Sequence, residues 1–199
     1  MKTSVVSFLF IAFCTNSFSQ KVVVHAYMDN KKSSSKSDTI YYNFNQQLTW
    51  EDFQGKPDMN HFGGAVTASG FAFDSEMNFD GKTLFIDINV YTYFSKNNSW
   101  KKRDINSAYH LVHEQHHFDI TRLGAEQLIE ELSKAKFTVD NYKSLTNSIF
   151  EKSYRENNQL QLQYDRETAH SLNVEKQNEW NSRIAAAIKE LEHSLAIAQ

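Results

Sequence analysis

The chain is poor in the residues that usually punctuate or cross-link a fold: 199 residues hold one cysteine, one proline and six glycines. Cys14 lies in an apolar run near the start, so the chain beyond it has no disulfide and no thiolate metal ligand. Any metal site there must be built from His, Asp and Glu. Pro57 stands upstream of every helical stretch, so no proline breaks a helix internally. There is no excess of positive charge either. Lys and Arg total 21 against 24 Asp and Glu, a net charge of -3, which argues against nucleic acid or an anionic membrane as partner. The longest apolar run, Val5 to Cys14, is too short to span a bilayer.

What that run does fit is an export signal. Met1-Lys2-Thr3-Ser4 is a short basic start, and Thr15 to Gln20 is a small polar stretch with a small-x-small pattern at Ser17 and Ser19. Residues 1–19 are therefore expected to be a signal peptide, with the mature chain delivered to the periplasm or the exterior. Phe13 occupies the place where a lipidation site needs a small residue, which disfavours a lipid anchor on Cys14. Losing Lys2 would take the charge from -3 to about -4.

Residues 20–199 suffice for one domain with a substantial core, and fifteen Phe and nine Tyr mark it as folded. Residues 20–98 read mainly as strands. Lys21 to Met28 is one; Val66 to Phe73 and Thr83 to Tyr91 alternate in part, with the tight-turn pair Asp80-Gly81 just before the latter. These predict a small antiparallel sheet. Residues 104–199 read mainly as helices. Apolar positions recur at spacings of three and four from Ile105 to Leu132, interrupted by Gln115 and Arg122, which predicts one long helix from about Asp104, as cap, to about Lys134. Two more follow, roughly Tyr142 to Thr168 and Val174 to Ala198, the last capped by Asn173. Strands first and helices second make an α+β fold.

The chemistry sits on the long helix, in His113-Glu114-Gln115-His116-His117. At about 100° per residue, His113 and His117 lie about 40° apart on one face and one turn apart in height, so both imidazoles can reach one metal ion. Glu114 beside them is placed to act as general base on a water that zinc has acidified. His116 points about 100° away from His117 and is not expected to bind the same ion. Glu126 faces elsewhere and Glu131 is about 27 Å along the axis from His113. A third ligand must come from another element. Gly124, on the His113–His117 face, is either an ordinary helical glycine or a place where another segment packs close.

The segment His113 to Ile120, together with Leu48 to Gly55, Ser99-Trp100, Tyr164 to His170, Gln177 and Trp180, resembles a family of predicted secreted bacterial zinc-dependent proteases first catalogued as a domain of unknown function. The resemblance implies a zincin-like fold, a Zn2+ cofactor and a peptide or protein substrate, hence a hydrolase of the metallopeptidase class. It implies His170 as the third ligand. Asp165 could orient a ligating histidine or be the ligand itself, and Tyr164 could donate a hydrogen bond to an oxyanion. In that family the histidine is commonly followed by glycine, where this chain has Ser171. The competing reading is a zinc-stabilised cell-envelope binding or scaffold protein without turnover; the sequence assigns no oligomeric state.

Overall fold

The alternating pattern between Ser69 and Ser95 builds the longest strands, β4 (Ser69–Phe79) and β5 (Thr83–Ser95), paired antiparallel. Asp80 closes their turn by accepting hydrogen bonds at Oδ1 from the Lys82 and Thr83 amides, at 2.9 and 2.7 Å. Gly81 supplies the positive φ of 94° that the turn requires. In this computed structural model residues 21–29, 31–34 and 37–197 are described; the leader expected at residues 1–19, Cys14 included, lies outside them.

On the other side of β5 stand two strands end to end. β1 (Lys21–Met28) runs parallel to Thr83 to Val90, and β2 (Thr39–Tyr41) runs antiparallel to Tyr93 to Ser95. The sheet is therefore mixed, which corrects the expected antiparallel one. Its parallel pairing joins segments distant in sequence, and local alternation carries no trace of that partnership. The predicted strand from Val66 to Phe73 is also divided. Ala65–Val66 forms β3, which leaves the main sheet to pair with β6 (Trp100–Lys101).

Three helices follow: α1 (Ala108–Lys134), α2 (Tyr142–Thr168) and α3 (Val174–Ile197). The second and third begin where the sequence places them, and Asn173 Oδ1 accepts from the Lys176 amide at 3.1 Å as a cap should. The first begins later than expected. Ser107, not Asp104, is its N-cap, its Oγ accepting from the His110 amide at 3.2 Å. Ile105 stays outside the helix, close against Gly64.

The helix α1 lies between the sheet and the α2/α3 pair. Ala125, Leu128 and Leu132 pack against Ala26, Phe71, Ile86, Ile88 and Val90 of the sheet. Ile120 packs with Tyr164, Trp180 and Ile184 of the other helices, and Phe118 joins Ile40, Leu48, Phe53 and Phe94. The polar side chains buried on the central turns of α1 need partners inside the protein. Gln115 accepts from the Leu48 amide (2.8 Å) and donates to Asp119 (2.8 Å), while Arg122 donates to Glu126 (2.9 Å). These are the two polar breaks in the apolar stripe. Among the described residues no helix is long and apolar enough to cross a membrane.

Candidate metal centre

Helical periodicity stacks His113 and His117 on the face of α1 that meets α2, their ring centroids 4.9 Å apart. Across from them, three residues before the end of α2, stands Asp165. Its Oδ1 is 3.2 Å from His113 Nε2 and 3.1 Å from His117 Nε2. These three side chains form a group whose candidate ligand atoms all lie within 4.8 Å of one another.

Behind each imidazole is a glutamine. Gln177 Nε2 donates to Tyr164 Oη and to Asn181 Oδ1, both at 2.7 Å, so its Oε1 is the atom turned to His113 Nδ1, at 2.9 Å. Gln161 Nε2 donates to the His117 carbonyl (2.9 Å) and to Thr121 Oγ1 (3.1 Å), which leaves its Oε1 against His117 Nδ1. An amide oxygen only accepts, so each Nδ1 carries a proton. In the neutral imidazole, Nε2 then presents a lone pair. Two ring nitrogens thus face one carboxylate oxygen, an arrangement that a shared proton or cation stabilises.

Burial pushes the His117 imidazole down, but the hydrogen bond and charge of Asp165 more than offset it and raise it to about 9. Burial would raise the Asp165 carboxyl; hydrogen bonds from His113 and His117 instead hold it far below the usual carboxylate range.

Residues 95–171 match the model of a bacterial protein family of unknown function, DUF922. The matched span is the part of the chain that carries His113, Glu114, His117, Asp165 and His170; Thr67 and Gln177 fall outside it. No curated protein and no solved structure matches the chain.

Glu114 and His117 line a cleft of about 370 Å³ together with Asp165, His170, His61 and Thr67. Thr67, in the connection between β3 and β4, donates to Glu114 Oε2 at 2.7 Å. No described residue bonds Glu114 Oε1, which is left for what enters the cleft. His170 is brought to the site but stands outside the group of three, its Nδ1 3.3 Å from Asp165 Oδ1. It is aimed there by a turn in which Ala169, His170 and Ser171 all have positive φ, at 49, 51 and 70°. Ser171 thus occupies the conformation that a glycine would take without strain.

Tyr164 arrives on the buried side. Its ring stacks on His113 at 4.6 Å, it has no exposed surface, and its hydroxyl is held by Gln177. That placement departs from the expected donor to a substrate oxygen and makes Tyr164 a support for the His113 ring. Gly124 resolves as a close approach: a Cβ there would lie against the Asn157 side chain of α2, 3.2 Å from its Cβ. His116 faces away, bonded through Nδ1 to Asp119 at 2.9 Å, and His110 belongs to the α1 cap through Ser107. Glu126 and Glu131 pair with Arg122 and Lys152, clear of the site.

Sequence reasoning missed three groups. Gln161 lies four residues before Asp165 and so on its face of α2, a signal that helical spacing offers. Thr67 and His61 come from loops with no spacing rule to find them.

Proposed function

We propose that the chain is an exported zinc-dependent hydrolase, a metallopeptidase in which His113, His117 and Asp165 hold the metal and Glu114 is the general base. The observation that carries this reading is the convergence of His113 Nε2, His117 Nε2 and Asp165 Oδ1 with both Nδ1 atoms already committed to glutamine oxygens. Separations of 3.1 and 3.2 Å are close to the ligand-to-ligand edge, about 3.3 to 3.4 Å, of a tetrahedral zinc site with bonds of about 2.0 to 2.1 Å. Three nitrogen and oxygen ligands with an open cleft beside them suit catalytic rather than structural zinc. Asp165 takes the third-ligand role, and His170 orients its carboxylate from outside.

Bound zinc would supply Lewis acidity, bringing a water towards neutral pKa and polarising a carbonyl. The side chains do the rest. Glu114, fixed by Thr67 at Oε2, takes a proton from the attacking water as its oxygen bonds to the carbonyl carbon. As the C–N bond breaks, Glu114 returns the proton to the leaving amine. Gln161 and Gln177 keep both imidazoles in the ligating tautomer.

Zinc analysis of the purified chain, paired with assays of wild type and Glu114→Gln on a broad peptide library, tests the proposal. One equivalent of zinc in both proteins, with cleavage by wild type reduced about 10²- to 10⁴-fold in the variant, is expected. Zinc in both without cleavage by either points to the binding or scaffold protein.

A further inference from the structure

The cleft's walls say what kind of peptide it takes. Its charged side chains are Glu114 and Asp165, besides the histidines, and no Lys or Arg is among its described lining residues. Both carboxylates are committed, one to base chemistry and one to the metal. Nothing is left to neutralise a substrate's terminal carboxylate or terminal ammonium, as an enzyme that trims chain ends requires. Lys102, on the strand side, spends its ammonium on the His61 carbonyl at 2.6 Å.

The rim is apolar instead. Among the described residues the most exposed large apolar side chains are Phe62 at 75%, Met59 and Ile197 at 72%, and Leu162 and Leu172 at 68%. Two of them border the cleft: Leu162 is part of its lining, and Phe62 stands against the lining residue His170. Exposed apolar side chains beside one opening are the kind of surface that contacts a ligand. Leu162 lines the cleft one helical turn before Asp165, and the Phe62 ring sits 5.3 Å from that of His170. Each is therefore one side chain away from the carboxylate that faces both histidines. Asn158, four residues before Leu162 on the same face of α2, is exposed, and its side chain forms no hydrogen bond with a described residue. Its amide offers the donor and acceptor that a peptide group needs.

We infer that the site is an endopeptidase site that takes an internal stretch of polypeptide, with Phe62 and Leu162 seating an apolar residue beside the cleaved bond and Asn158 bonding the substrate backbone. This rests on the hydrolase reading above. A terminal carboxylate finds no cationic side chain among the cleft's described lining residues, while an apolar flanking residue gains burial at the rim.

The test uses the full chain with zinc and internally quenched peptides blocked at both termini, differing only in Leu, Phe, Gly or Asp beside the cleavable bond. Leu and Phe peptides should be cleaved about tenfold better than Gly or Asp peptides, and blocked peptides as well as free ones. Phe62→Asp and Leu162→Asp, at exposed positions that leave folding and zinc content alone, should each erode that preference about tenfold, mostly through KM. Dependence on a free terminus, or a preference that survives both substitutions, overturns the inference. If wild type cleaves nothing, the hydrolase reading fails and this inference falls with it; if wild type cleaves but without the Leu and Phe preference, this inference alone is overturned.

Discussion

Each site imidazole is fixed from behind by a glutamine whose own amide nitrogen is already spent, so that both Nε2 atoms face Asp165. The consequence is measurable through pH. The His117 imidazole, raised from 6.5 to about 9 in the metal-free chain, contributes stability that is full below about pH 6.5 and lost as pH rises through about 9. Asp165, depressed from 3.8, contributes stability that is present above about pH 4 and lost as pH falls well below it. Metal-free protein should therefore have its highest Tm between about pH 4 and 6.5 and lose Tm from there towards pH 9. Zinc competes with these protons, so its affinity should rise over the same upper range. A metal-free Tm that stays flat from pH 6 to 9 would remove the charged His117–Asp165 pair. The two histidines and Glu114 were legible in the sequence because helix periodicity alone aligns them. Asp165 was visible only as one of several candidates, because the approach of α2 to α1 depends on packing between residues far apart in sequence.

At the scale of the element, that approach rests on Gly124 and the α2–α3 turn. Gly124→Ala brings a methyl against the Asn157 side chain, 3.2 Å from its Cβ, so Asn157 must move and its hydrogen bond to the Ile120 carbonyl is disturbed. Alanine is worth up to about 1 kcal/mol more than glycine in a helix interior, yet overpacking costs about 1 to 3 kcal/mol. The variant should be less stable in urea and bind zinc more weakly; a gain in stability would mean Asn157 yields freely. Ser171→Gly works in the opposite direction. Relief of left-handed strain, about 1 to 2 kcal/mol, outweighs the added freedom of the unfolded chain, about 0.4 to 1 kcal/mol. Its midpoint should rise, and a fall would show that the Ser171 side chain itself, buried to 3% exposure, supports the turn. Both helix boundaries around that turn were legible from apolar spacing and the Asn173 cap. The start of α1 was not: Asp104 is a good cap by residue type, but Ser107 caps the helix and Ile105 stays outside it against Gly64.

For the whole molecule, the α+β order of strands then helices follows from local periodicity, whereas the parallel seating of β1 against β5 is a long-range pairing that no local pattern encodes. The same distinction governs the site. Its candidate ligands come from α1 and α2 and its supports from α3 and the connection between β3 and β4. A bound ion would therefore tie together elements that fold separately in sequence, and zinc at about 100 times its Kd should add about 2.7 kcal/mol to stability. The most direct measurement is a zinc titration of the metal-stripped chain beside Asp165→Ala and His170→Ala. One equivalent bound by wild type, lost in Asp165→Ala and only weakened in His170→Ala, is the result predicted. No zinc bound by wild type, or binding by Asp165→Ala as tight as wild type, would contradict the centre formed by His113, His117 and Asp165.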